Sequence, residues 1–350
     1  MEQSGGVWAY IGSFTSGGGQ GITVAAVDPA SGALTPRSTV GGLVNPSWLA
    51  LDRAAGVLYA VGEAESGEVA AFRARGGELT PLGRPVAVDG SGPTHLSVVG
   101  RRLLTANYGS GSVSSLPLDG EGGVAGPAVV LAHQGSGPDP DRQEAPHAHQ
   151  VLPDPSGRWV LTTDLGTDSV RVCALDPGSG APRVHGEVGL RAGSGPRHLA
   201  FHPDGAVVYV LHELEPQVTV CRWEAGAGRL EPLSEVAVAG GGTAADDVRV
   251  YPSVPVVSAD GRFLWAAVRG ANTVVTLDLE DGPEKPRVAG SADCGGVWPR
   301  DLVADPSGRR LYVANEWSGD VTWFDVDPRD GRLRRGGSVE VPAAACVVLA

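Results

Sequence analysis

Two stretches of the chain set a histidine, an arginine and a glutamate into matching frames. From Pro146 the chain reads PHAHQVLPDPSGRWVLTTDLGTDSV, and from Gly195 it reads GPRHLAFHPDGAVVYVLHEL. At one constant offset His149 falls on Arg197, Gly157 on Gly205, Leu165 on Glu213 and Cys173 on Cys221. A neutral imidazole takes a proton and returns it near pH 7. A guanidinium holds a carboxylate, a phosphate or a developing oxyanion in two-pronged fashion. Unlike polar residues in one repeated frame suggest a scaffold that aims different groups at a common point.

Further copies of the frame run through the chain. They begin at VWAYIGSF, PSWLALDRAAGVLYAVGE, PTHLSVVGRRLLTANYG, VPVVSADGRFLWAAVRG and PRDLVADPSGRRLYVANEW, making seven with the first two. Each alternates Val, Tyr, Trp and Phe over short runs, the signature of strands. The runs are separated by D-G, S-G and D-P pairs, which favour tight turns. No long helical period interrupts them. Units of this length that cannot bury both faces alone predict propeller blades. The fold expected is all-β: one domain over 1–350, a seven-bladed β-propeller of four-stranded antiparallel blades. The first copy lacks an inner strand, and the apolar run Cys346 to Leu349 can supply it, closing the ring and removing open sheet edges. Two polar segments, 133–147 and 240–255, break the regularity.

In such a ring the first strand of each blade lines the axis. Aligning the turns gives a first-strand ring of Ser47, Thr94, His149, Arg197, Ser253 and Arg300. The second-strand exits give Ser13, Glu63, Tyr108, Leu165, Glu213, Arg269 and Glu316. Charges gathered at an axis need specific partners, so this is the expected ligand site, the alternative being ion pairs that seal the channel. His149 and Glu213 are the candidate bases and Arg197 the candidate oxyanion donor. Arg269 and Arg300 are the anion clamp, with His147, Tyr108 and Glu316 beside them. The run Asp141 to Glu144 is expected at the entrance. His95, His198 and His202 read as scaffold, His212 as facing away from Glu213, and Asp164, Asp168, Asn107 and Asn315 as turn or strand-end hydrogen-bonding groups. His147 and His149 form an H-x-H pair, which alone is a weak metal signal, and neither metal nor cofactor is expected.

Composition narrows the partners. The chain has 40 Asp and Glu against 27 Lys and Arg, a formal net charge of -13, a poor match for nucleic acid or anionic membrane. No run is long and apolar enough for a membrane helix, and the first residues lack the basic-then-apolar pattern of a secretory signal. The 4 cysteines form no CxxC pair and read as packing thiols of a cytoplasmic protein. The 8 Trp are expected between sheets, each indole N–H reaching a rim partner.

The phrases NPSWL, TANYGSGSV, RQEAPHAH, DLGTDSV, GPRHLAFHPDG, HEL and PRDLVADPSGRRLYVANEWSGDVTWFDVD resemble the propeller lactonase family, which includes 6-phosphogluconolactonases of the seven-bladed type and 3-carboxy-cis,cis-muconate lactonising enzymes. The resemblance spans nearly the whole chain. It implies a catalytic set at His149, Arg197, Glu213 and Arg269, and hydrolysis of a small anionic sugar lactone, most simply 6-phosphogluconolactone to 6-phosphogluconate in the pentose phosphate pathway. Carboxymuconate lactonisation, or a propeller that binds without catalysis, are the alternatives. His212 and Val268 stand where the family usually has Asn, and the segment before the sixth copy is longer than usual.

Overall fold

The computed structural model describes residues 6–239 and 249–350; residues 240–248 of the polar segment expected before the sixth blade lie outside them, as do residues 1–5. The described residues form seven antiparallel sheets arranged as blades. Six of them are four-stranded, and the second blade carries two short strands on its outer edge, Glu78–Pro81 and Val86–Ala87, both paired with Glu68–Arg75. One 3-10 turn, Thr15–Gly17, is the sole helical element among the described residues.

Burial follows position in the blade. The second strands are buried along most of their length, and Val207–His212 and Phe263–Arg269 at every residue. They read as unbroken apolar runs because both faces pack against neighbouring blades, as strands buried on two sides do. Outer strands such as Arg287–Asp293 are largely exposed. The core is therefore divided into seams between blades. Tyr209, Val220, Leu264 and Val275 fill one such seam, and Ile11, Tyr312, Trp323 and Val347 another. Each fully buried large side chain contributes about 1.5–3 kcal/mol. Two tryptophans bridge seams as expected, Trp159 Nε1 donating to the Ala225 carbonyl at 2.7 Å and Trp265 Nε1 to Gly331 at 3.0 Å, whereas the Trp223 indole N–H is buried without a partner.

The ring closes as the sequence predicts. Ala344–Leu349 is the inner strand of the first blade, paired antiparallel with Val7–Ser13. The turn after each inner strand is set by a left-handed glycine, Gly157 at φ 69° and Gly205 at φ 73°. It is held by an acidic or hydroxyl cap, as where Asp154 Oδ1 accepts from Trp159 N at 2.8 Å.

Candidate active site

Six of the seven inner strands are irregular at the same place. Pairing with the second strand skips a residue, so Thr94, His149, Arg197, Ser253, Arg300 and Ala345 each fall within a β-bulge. A bulge leaves one residue outside the ladder and re-aims its side chain. In four of these cases the preceding residue is a proline: Pro93, Pro196 and Pro299 begin their strands and Pro252 is the second residue of its own, positions where a missing N–H is tolerated. The bulged residues of the inner strands and the residues at the second-strand exits meet at one end of the axis. Of these, Thr94, His149, Arg197 and Arg300 from the bulges and Glu63, Tyr108, Glu213, Arg269 and Glu316 from the exits line a cavity of about 420 Å³.

Glu213 is the centre of this cavity. Its Oε2 accepts from Arg197 Nε at 2.9 Å and from Arg269 Nη2 at 2.8 Å, and its Oε1 accepts from Arg142 Nη2 at 2.6 Å. His149 Nε2 lies 3.9 Å from the same Oε2. Arg197 also donates through Nη1 to the Ser253 carbonyl at 2.5 Å, and Arg269 donates to the carbonyls of Tyr251 at 3.0 Å and Pro252 at 3.1 Å. Across the cavity Arg300 sits between two carboxylates, Glu316 at 3.3 Å and Glu63 at 3.8 Å, with the Phe14 ring 4.6 Å away. Ser47 hydrogen-bonds the Glu63 carboxylate.

Burial and charge set the protonation states. Burial alone pushes the Glu213 carboxyl up, but the Arg269 and Arg197 guanidiniums beside it hold it well below the usual carboxylate range. Burial drives His149 well below the ordinary histidine value, and the Arg197 charge adds to the shift while Glu213 opposes it. His149 is therefore neutral at pH 7. Burial raises Glu63, opposed by Arg300. Four arginines face three glutamates among the lining residues, so the cavity carries one positive charge in excess and admits an anion.

The expected residues are placed as follows. His149, Arg197, Glu213, Arg269, Arg300, Glu316 and Tyr108 all line the cavity. His147 does not: its ring is stacked on Tyr108 with centroids 4.4 Å apart, its Nδ1 is 2.9 Å from the Tyr108 carbonyl and its Nε2 is 3.3 Å from Glu144. It buttresses Tyr108 from behind. His212 turns away from Glu213 and meets Thr219 Oγ1 at 2.6 Å. Asp164 Oδ1 accepts from the backbone N–H of His147 and Thr167, and Asp168 accepts from those of Gly193 and Gly195. Asn107 and Asn315 bond to hydroxyls within their own blades.

Four lining residues, Arg142, Tyr251, Trp298 and Trp317, were not singled out from sequence. Arg142 belongs to the segment expected at the entrance, but its contact with Glu213 does not follow from the frame. Its position is fixed by its neighbour Gln143, fully buried, whose Nε2 donates to the Leu165 carbonyl and to Asp168 Oδ1, both at 2.8 Å. Gly166 lets this segment approach, since a Cβ there would lie 1.9 Å from the Ala145 carbonyl oxygen. Tyr251, Trp298 and Trp317 lie on the approaches to blade strands, beside rather than on the ring positions.

The geometry has parallels among known proteins. The family described as lactonase, 7-bladed beta-propeller, matches residues 8–349. The chain is 33% identical over 346 residues to the 6-phosphogluconolactonase of Bacillus subtilis, covering 97% of both chains. It is 28% identical to the 6-phosphogluconolactonase of Formosa agariphila, over 93% of this chain and 94% of that one. The solved periplasmic gluconolactonase of Pseudomonas aeruginosa superposes with a TM-score of 0.90 at 31% identity, covering 98% of this chain and 99% of that one.

Proposed function

This chain belongs to the lactonase family of seven-bladed β-propellers, and we propose that it hydrolyses a sugar lactone, with 6-phosphoglucono-1,5-lactone going to 6-phosphogluconate as its reaction. The observation that carries this reading is a neutral histidine, His149, set 3.9 Å from a carboxylate that arginines keep ionised. The excess positive charge of the cavity and the names of the relatives favour an anionic sugar.

His149 is the base in this reading. Glu213 is too strongly held by its arginines to accept a proton readily. His149 Nε2 takes a proton from water as the water oxygen bonds to the lactone carbonyl carbon. Arg197, fixed by Glu213 and the Ser253 carbonyl, donates to the carbonyl oxygen as it becomes an oxyanion. Glu213 stabilises the imidazolium that forms beside it. The oxyanion then collapses, the bond from carbon to ring oxygen breaks, and the imidazolium returns its proton to that oxygen. The product is the open aldonic acid, which releases its remaining proton to solvent as the aldonate, and His149 is neutral again. Arg269 and Arg300 hold the anionic group of the substrate, and Tyr108 and Glu316 meet its hydroxyls. These steps use side chains and water alone. A phosphorylated substrate and four unpaired, buried cysteines favour a cytoplasmic setting.

The test is hydrolysis of 6-phosphoglucono-1,5-lactone by purified protein, measured above the spontaneous rate, with glucono-1,5-lactone and 3-carboxymuconate alongside. The expected result is fast turnover of the phosphorylated lactone that is lost in both His149→Ala and Arg197→Ala. Equal rates in wild type and both variants would overturn the site assignment. Turnover of carboxymuconate alone would replace hydrolysis with lactonisation, and no turnover of any of the three would leave a binding propeller.

A further inference from the structure

Trp298 and Trp317 form a stacked pair at the cavity mouth. Their ring centroids are 3.7 Å apart and their planes 5° from parallel. Both line the cavity, yet Trp317 is 63% exposed. The pair is built at a cost. Trp298 has φ 68°, a left-handed backbone that bulky L-residues avoid. It is held there by its N–H donating to Asn272 Oδ1 at 2.9 Å and its carbonyl accepting from Glu316 N at 3.0 Å. Trp317 is pinned by its own N–H donating to the Val297 carbonyl at 3.1 Å. A strained aromatic beside a site, supporting a second aromatic left open to solvent, points to a ligand rather than to packing.

The depth of the pair says what kind of ligand. The Arg269 guanidinium lies over the Trp298 ring at 5.4 Å, and Trp317 stacks on that ring. His149 and Arg197 are buried, whereas Trp317 stands open at the mouth of the same cavity. A lactone ring reacting at the buried end leaves the open indole face for a further group. The face of an indole carries negative π density, which disfavours a phosphate and favours a neutral ring with polarised C–H bonds. The carboxylate of Glu316, paired with Arg300 in the same cavity, can also accept from sugar hydroxyls.

We propose that Trp317, backed by Trp298, is an outer subsite that stacks the second sugar ring of a glycosylated aldonolactone, so that lactones of oxidised disaccharides are substrates. This rests on the lactonase reading above. The experiment compares kcat/KM for glucono-1,5-lactone and for the 1,5-lactone of 4-O-glucosylgluconic acid. In wild type the disaccharide lactone is expected to be favoured by about five- to tenfold, the worth of one aromatic stack. In Trp317→Ala that ratio falls to about one, while Trp317→Phe keeps part of it, an aromatic face being retained. The same ratio in wild type and Trp317→Ala, or no preference in wild type, would overturn the subsite and leave the lactonase reading standing. Hydrolysis of 6-phosphoglucono-1,5-lactone but of neither unphosphorylated lactone would overturn the subsite and leave the lactonase reading standing, whereas no hydrolysis of any of the three would overturn both.

Discussion

Arg197 and Glu213 are bonded within one blade, Nε of the bulged inner-strand residue donating to Oε2 at the exit of the next strand at 2.9 Å. The same carboxylate takes Arg269 from the following blade and Arg142 from the segment before blade four. Glu213 therefore ties three parts of the molecule together as well as serving the site. Glu213→Gln keeps the shape and removes the charge. Breaking a buried pair from one side costs about 3–5 kcal/mol. The expected outcome is a lower urea midpoint together with a fall in kcat/KM of about 10²–10³-fold, as for loss of a key electrostatic group. A variant that unfolds with wild-type midpoint would show that the arginines have other adequate partners.

The protonation of His149 predicts a pH profile. Activity needs the neutral ring, and burial with the Arg197 charge disfavours the cation. As pH falls, kcat/KM should stay level through the ordinary histidine value, about 6.5, and decline only below it. Arg300 also presses on His149 while Glu213 supports its cation, so the acid limb should move up in Arg300→Gln and down in Glu213→Gln. His149→Ala should lower kcat by about 10²–10⁴-fold. A wild-type limb at or above the ordinary value would remove His149 from the role of base.

Much of this was legible in the sequence because the frame repeats. Wherever His149, Arg197, Glu213 or Arg300 departs from its counterparts in other copies, the departure marks a residue bearing on the cavity. The turns, the blades and the closing strand follow from alternation and turn chemistry for the same reason. What the frame does not index stayed hidden. Arg142 lies in a connection with no counterpart in other copies, and its contact with Glu213 depends on how Gln143 is buried. Trp298 and Trp317 look like two more blade-filling indoles until their stacking is seen. His147 has the right spacing to share the face of His149, but the bulge at His149 breaks the alternation between them, and His147 instead packs behind Tyr108.

The placement of Arg142 gives a prediction away from the charges. Gly166→Ala puts a Cβ 1.9 Å from the Ala145 carbonyl oxygen and 2.9 Å from His147 N, so the segment carrying Arg142 must shift. Such overpacking costs about 1–3 kcal/mol. Activity is expected to fall further than this stability loss explains, and Arg142→Gln should reproduce the kinetic part, a drop in kcat/KM of about ten- to a hundredfold for one charge-assisted hydrogen bond. Thermal melts and steady-state kinetics on the two variants check this; wild-type kinetics in both would remove Arg142 from the site.

Ring closure is testable by ending the chain at Pro342. That removes the inner strand Ala344–Leu349, exposes the edge of Val7–Ser13 and opens the seam that Val347 and Leu349 help fill. Exposed edges of this kind pair with other chains. The expected result is recovery in the insoluble fraction; a soluble chain with an unchanged urea midpoint would show that the first blade stands without its closing strand.

The bulges on the inner strands also bear on how such a molecule can change its trade. Each is made by backbone pairing and leaves one side chain outside the ladder. Thr94 occupies such a position with a small side chain that lines the cavity. A lineage, or a protein engineer, can install a new nucleophile or metal ligand there by a single codon change, altering the reaction while leaving the architecture to be inherited intact.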